Sequence, residues 1–319
     1  MINIVFMATP DIATESLEYL INRNDINVLA VVTQADKPKG RGNRIEFSPV
    51  KTCALKHNIA VFQPISFRKD EKLIGHLREL NPDFFVTFAY GQILSQEILD
   101  IPKYSTINLH ASLLPRYRGA NPIQRAIANG DTTTGITTMI TVLELDAGDM
   151  CLSETIDITE NMTACELTLE IKQKSPELIY KTLTGLVSGE ITPQKQDIAK
   201  VTFAPKFTKE DGLIDWNSSA AEIHNRIRGL QPWPGCYTFF DGKMLKIIES
   251  RLTGIKTSFC PATMVGKAKE GIEVATGDNT ILITKVQPAG KSQMRSLDWL
   301  NGSKMSAGDK FEQQIMQQV

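Results

Sequence analysis

The chain opens on a short apolar run, Ile2–Met7, of the kind that forms a strand buried on both faces. From Thr9 to Arg23 the apolar residues Ile12, Leu17, Leu20 and Ile21 fall at helical spacing, and a second apolar run follows at Asn27–Thr33. Strand, helix and strand in so short a stretch make a βαβ unit. Further runs at Ile59–Gln63, Asp83–Ala89, Ser105–His110 and Gly135–Val142 are mostly separated by helical patterns. Together they predict a Rossmann-like α/β fold with an open parallel sheet. Ligands of such sheets bind outside the carboxyl ends of the strands, so the residues that close those strands are where chemistry is expected.

The pattern changes after a long helical stretch at Ala164–Leu186. Residues 189–205 are polar, carry two prolines and lack helical periodicity, which predicts a linker. In the last third, Asp241-Gly242 and Gly277–Asn279 separate apolar runs as hairpin turns do. Short strands at that spacing predict a small antiparallel barrel. The expected organisation is an α/β domain over 1–188, a linker over 189–205 and a smaller β domain over 206–319.

Composition narrows the class. A length of 319 residues suits about two domains, and 42% hydrophobic with 22% charged residues is ordinary for a soluble globular protein. A net charge of -1 excludes a polyanion binder by bulk charge. The charge is uneven, however: from Lys206 onward 15 Lys and Arg stand against 12 Asp and Glu. That mild excess permits nucleic-acid contact without requiring it, and scatter in surface charge explains it equally well. The five cysteines are scattered, form no C-x-x-C and match no familiar zinc spacing, so reduced thiols in a cytoplasm and no metal are expected. The first apolar run is too short for a signal peptide, and no stretch is long enough to span a membrane. No heptads are present, so a monomer without membrane attachment is expected.

Polar groups of chemical interest end the predicted strands. Asn108 and His110 lie two apart and therefore on one face at a carboxyl edge. Asn offers an NH₂ donor and His donates or accepts, so the pair suits an oxyanion; closing a strand end with backbone hydrogen bonds is the plainer reading. Asp146, just past another apolar run, either orients His110 and accepts a proton or makes an Asx turn. Ser112, Leu113, Leu114 and Pro115 begin a shaped loop in which the leucines suit a flat apolar pocket. Arg116 and Arg118 in that loop face either an anion or solvent. Phe88, Ala89, Tyr90 and Gly91 suit either a planar heterocycle or core packing. The Gln34–Pro49 loop is long for its place and carries Lys37, Lys39, Arg41 and Arg44, which suits a phosphate backbone. It matches neither the P-loop nor the full dinucleotide fingerprint.

The stretch "NLHASLLPRYRGANPIQRAI", followed by "LDAGDM", resembles the folate-dependent formyltransferases. "FMATPDIA", "TQADKPKGRG", "SPVK", "FAYGQIL", "APKFTKEDGLIDW" and "IRGLQPWPG" are similar, in order, to the branch of that family acting on methionyl-tRNA. The resemblance implies formyl transfer from 10-formyltetrahydrofolate to the methionine α-amine of initiator tRNA. It implies Asn108, His110 and Asp146 as catalytic residues, Ser112–Pro115 and Phe88–Gly91 at the folate, and Arg41 as the leading tRNA contact of the basic loop. It also implies an OB-like, tRNA-binding C-terminal barrel. Tyr117 stands where the family usually has Trp, and Asn121 where it has a small residue. Formyl transfer to a small amine, hydrolysis of the formyl folate and a catalytically inactive tRNA-binding module are the competing readings. The Asn/His/Asp set argues against the last.

Overall fold

The structure, a computed structural model, describes residues 1–39 and 44–312. Strands and helices alternate through its first third: β1 (Ile2–Ala8), α1 (Thr14–Ile21), β2 (Ile26–Val32), the short pair β3 (Lys37–Lys39) and β4 (Arg44–Glu46), α2 (Pro49–Lys56), β5 (Val61–Phe62), α3 (Glu71–Glu79), β6 (Phe84–Phe88), α4 (Gln96–Leu99) and β7 (Ser105–His110). There follow β8 (Arg118–Gly119), α5 (Pro122–Ala128), β9 (Thr133–Ile140), β10 (Met150–Asp157), the long α6 (Ala164–Ser188) and β11 (Phe203–Ala204).

Two compact units result. The first comprises Met1–Gly119, Thr134–Ile156 and Thr168–Ala204; the second comprises Ala120–Thr133, Asp157–Leu167 and the chain from Pro205 onward. Residues 189–204, which read as a linker, are built into the first unit. Met150 and Gln194 exchange backbone hydrogen bonds of 2.8 Å, and β11 pairs with β8. A polar, irregular segment satisfied by partners distant in sequence carries no periodic signal, which is why it reads as a connection.

The first unit is a seven-stranded sheet of order β10-β9-β7-β6-β1-β2-β5. β1 pairs in parallel with β2 and β6, β2 with β5, and β6 with β7. The chain runs from β1 outward to β5 and then returns to lay β6 against the other side of β1. The resulting switch point opens a crevice at the carboxyl ends of β1 and β6, beside the end of β7. Ile4, Val5, Phe6, Met7, Phe84, Phe85 and Val86 have no exposed surface, as the continuous apolar runs require. Burying each such side chain contributes roughly 1.5–3 kcal/mol.

The sheet departs from the all-parallel expectation at one side. β9 runs antiparallel to β7, with Asn108 opposite Met139 and His110 opposite Thr137. An apolar run carries no direction; the connection sets it, and here the chain enters β9 after the seven-residue α5 rather than a full crossover. β10 is absent from the sequence reading because its residues are mostly half-buried or exposed, as on a sheet edge.

In the second unit α7 (Ala220–Gly229) precedes β12 (Cys236–Phe240), β13 (Lys243–Lys256), β14 (Met264–Lys267), β15 (Ile272–Ala275), β16 (Asn279–Pro288), β17 (Met294–Arg295) and α8 (Ser296–Gly302). Ser219 and Glu222 form a capping box at the start of α7, worth about 1 kcal/mol. The sheet order is β12-β13-β16-β15-β14, with antiparallel pairing along it. Its two edges are joined through one segment, since Glu312 bridges Phe239 on β12 and Lys310 bridges Thr263 just before β14. That closure gives the expected small barrel, filled around Trp216, Ile247, Ile283 and Phe311.

His224 on α7 is buried between Ser250 Oγ at 3.0 Å from Nδ1 and the Glu160 carbonyl at 3.1 Å from Nε2. Burial, with Arg228 nearby, lowers its pKa, although the Glu160 carbonyl and carboxylate work the other way. A histidine held neutral stabilises the fold fully above its unfolded pKa of about 6.5. That contribution fades as pH falls through the unfolded pKa toward the lower folded one, because the unfolded chain then binds the proton first. Thermal unfolding at pH 7.5 and 5.5 should therefore show a loss of Tm in acid that His224→Gln reduces.

Candidate active site

Strand ends and loops of the first unit bring the candidate groups together. Thr87, opposite Asn108 in the β6–β7 ladder, donates from Oγ1 to Asn108 Oδ1 at 2.9 Å. With its oxygen taken, the Asn108 amide has its NH₂ left to donate. Thr87 is 7% exposed, so this orientation is set from within the sheet. Thr87→Val keeps the shape and removes the donor; about 1 kcal/mol of lost orientation predicts roughly a fivefold fall in any rate that depends on the Asn108 donor, read in single-turnover assays.

His110 is 6% exposed and donates from Nε2 to the Tyr117 carbonyl at 2.8 Å. Its Nδ1 lies 3.6 Å from Asp146 Oδ2, within ion-pair reach but too long for a hydrogen bond. A carbonyl only accepts, so Nε2 carries its hydrogen toward Tyr117.

Asp146 is 9% exposed and sits at φ 53. Gly119 N donates to its Oδ2 at 2.8 Å. Gln196 Nε2 donates to the carbonyls of Asp146 and Gly148, both at 2.8 Å. Arg118 holds Gln196 in turn, Nε to Oε1 at 3.0 Å, and pairs with Glu144 at 3.2 Å. Arg118 therefore faces neither solvent nor an open anion site; it is 7% exposed and braces the Asp146 turn. Gly148 must be glycine, because a Cβ would fall 1.7 Å from the Ile140 carbonyl oxygen. Seven non-glycine residues among those described have positive φ, and Ala89, Tyr117 and Asp146 are three of them. Such backbone costs about 1–3 kcal/mol and persists where surrounding bonds over-determine it, as they do here.

The loop after His110 is tied down by Thr137, which accepts from Leu114 N at 3.2 Å and donates to the Ser112 carbonyl at 2.7 Å. Ser112 Oγ donates to the Arg116 carbonyl at 2.6 Å. Ser112 and Leu114 are buried, Leu113 and Pro115 half-buried. After β6, Ala89 and Gly91 are exposed whereas Phe88 and Tyr90 point into the core, where Tyr90 packs edge-on against Phe67. The segment therefore exposes backbone and small residues, not aromatic rings. A cavity of about 450 Å³ opens beside Gly91, lined also by Gln34, Pro64, Ile65, Arg68 and Ile93, and does not include Asn108, His110 or Asp146.

Of the basic loop, Lys37 and Lys39 lie on β3 and Arg44 on β4, with Lys39 opposite Arg44. Arg41 lies outside the described residues. The base of the loop is clamped: Lys51 Nζ reaches Asp36 at 2.5 Å and Gln63 at 2.7 Å, and Gln63 donates to Asp36 at 2.9 Å. Burial acts to raise the pKa of Asp36, but Lys51 and Gln63 hold it below the usual carboxylate range. Thr87, Thr137 and Gln196 are the site residues that sequence reading misses; none carries a motif, and each acts across the fold.

Residues 2–183 match the formyl transferase family, and residues 206–304 match the formyl transferase C-terminal domain. The chain belongs to the formyl transferase family. Its curated relatives include the methionyl-tRNA formyltransferase of Clostridium acetobutylicum, 46% identical over 97% of this chain and 99% of the relative. That of Citrifermentans bemidjiense is 45% identical over 96% of this chain and 95% of the relative. Among solved structures, a Helicobacter canadensis N-formyltransferase in complex with folinic acid and dTDP-3-aminofucose aligns with TM-score 0.67 at 20% identity, covering 90% of this chain and all of that one. HypX from Aquifex aeolicus in complex with tetrahydrofolic acid aligns with TM-score 0.61 at 16% identity, covering 96% of this chain and 50% of that one. These likenesses share the formyl transferase fold, a parallel-dominated α/β sheet with a separate antiparallel β domain. No helix among the described residues of this formyl transferase is long and apolar enough to cross a membrane.

Proposed function

We propose that this formyl transferase moves the formyl group of 10-formyltetrahydrofolate to the α-amine of methionine on initiator tRNA, supplying formylmethionyl-tRNA for translation initiation in the cytoplasm. The observation that carries the acceptor is full-length similarity to relatives of that name at about 45% identity, through both domains. The donor is supported by the family and by the folate-complexed structures sharing its fold. The chain acts as a monomer. Residues 206–312, with their Lys and Arg excess, and the basic loop of Lys37, Lys39, Arg41 and Arg44 contact the tRNA backbone. Ser112–Pro115 and the exposed backbone at Ala89 and Gly91 seat the folate.

Asn108, His110 and Asp146 carry the chemistry in this reading. An α-amine with a pKa of about 7.7–8.0 is partly neutral at physiological pH and attacks the formyl carbon. Asn108 donates from its NH₂, and His110 from Nδ1, to the oxygen on which charge develops. Asp146 keeps a negative charge beside the imidazolium and takes the ammonium proton through a water. Collapse breaks the bond from the formyl carbon to the folate nitrogen, which takes up the proton that Asp146 accepted, returned through the same water.

The deciding assay supplies 10-formyltetrahydrofolate with initiator or elongator methionyl-tRNA. Formylation of the initiator species is expected. Release of formate without tRNA, or equal formylation of small amines, would overturn the acceptor assignment.

A further inference from the structure

A cluster outside the candidate active site lies between α1 and α2, both in the first unit. Glu18 on α1 faces Cys53 and His57, four residues apart at the end of α2. Cys53 Sγ donates to Glu18 Oε2 at 3.2 Å, and His57 Nε2 lies 2.9 Å from Glu18 Oε1. One ligand atom from each of the three falls within 4.8 Å of the others. All three side chains are half-buried, which leaves an approach from solvent. The two backbones are fixed independently of the cluster. α1 buries Leu17 and Leu20, α2 buries Val50 and Ala54, and Ser48 caps α2 through Lys51 N.

We propose that Glu18, Cys53 and His57 bind one zinc ion, with a water as fourth ligand. Zinc bonds of about 2.3 Å to sulfur and about 2.0–2.2 Å to nitrogen and oxygen put tetrahedral ligand atoms roughly 3.3–3.6 Å apart. The two measured separations need open only slightly to reach that. Thiolate, imidazole and carboxylate together favour zinc over magnesium or calcium, which take oxygen ligands. Two anionic ligands neutralise the dication. As the metal binds, the Cys53 thiol proton leaves to solvent, and the His57 ring presents the Nε2 lone pair with its hydrogen on Nδ1. Lys56 Nζ, 3.5 Å from Glu18 Oε1 and on a largely exposed side chain, moves aside. Burial and the Glu18 carboxylate push the Cys53 thiol up to about 12, so without metal it is a protonated group rather than a reactive nucleophile. The bound ion would clip α1 to α2. Read linearly, Cys53 and His57 match no zinc-finger spacing; only the helix end and the carboxylate from α1 make them a set.

The test uses the full, untagged chain, reduced and stripped with chelator, and titrated with Co²⁺ as a spectroscopic stand-in. One equivalent should give a thiolate-to-cobalt charge-transfer band in the near ultraviolet and the visible bands of tetrahedral cobalt, and zinc should bleach both. Cys53→Ser should abolish the charge-transfer band, and His57→Ala should weaken binding roughly tenfold or more, with far-UV circular dichroism showing both variants folded. Absence of the charge-transfer band in the parent chain, or its survival in Cys53→Ser, overturns the site.

Discussion

Replacing Asn108 by Ala is expected to lower kcat for formyl transfer about 100- to 1,000-fold, the usual cost of one oxyanion donor. The expectation rests on direction as much as on identity. Thr87 Oγ1 occupies Asn108 Oδ1 at 2.9 Å, so the amide presents its NH₂ at the carboxyl end of β7. In the proposed reaction a donor to the formyl oxygen strengthens as charge builds on it, so its loss is expected to fall on kcat. Single-turnover rates at saturating folate and tRNA, with tRNA affinity by filter binding, separate this from a binding defect. A rate close to the parent's would show that the oxyanion is met elsewhere. A double-variant cycle sharpens the point. Thr87→Val should cost the rate nothing further once Asn108 is Ala, because the orientation that Thr87 sets is that of Asn108.

The parts of this fold that are legible in the sequence share one physical origin. Strands buried on both faces are continuous apolar runs, and β1 and β6 stand out for that reason, while β2 and β7 carry the signal only in part. Polar residues that end such a run, as Asn108 and His110 do, are conspicuous against it. Strand direction is not written in a run, which hides the antiparallel turn of β9, and half-exposed β10 lacks the apolar signal altogether. The Asp146 turn shows the wider limit. Its supports are a backbone N–H 27 residues away at Gly119 and a side chain 50 residues away at Gln196. Gln196 sits in a polar stretch that reads as a linker because hydrogen bonds made across a fold leave no period behind. The reverse error occurs after β6. Phe88 and Tyr90 look like a platform for a flat ligand, but both are buried, and the positive-φ turn after β6 leaves Ala89 and Gly91 outside. The order of the motifs, more than any one of them, pointed to the family.

Asp146→Asn is expected to reduce kcat about 10²- to 10⁴-fold, the range spanned by loss of a positioned acid–base group. Asparagine is the informative replacement because it separates charge from shape. Asp146 holds φ 53, a region that Asn enters readily, so the exchange adds no backbone strain. Its amide oxygen can still accept from Gly119 N, and its carbonyl still accepts from Gln196. What disappears is the negative charge 3.6 Å from His110 Nδ1, and with it the proton acceptor proposed for the reaction. Alanine, by contrast, removes charge and turn contacts together. If Asp146 acts chemically, Asn and Ala variants should be similarly slow in single-turnover formylation, with tRNA affinity retained in the Asn variant. If Asp146 serves only to hold the turn around Gly119 and Gly148, the Asn variant should keep nearly the parent rate while Ala loses it, and the proton-accepting role falls.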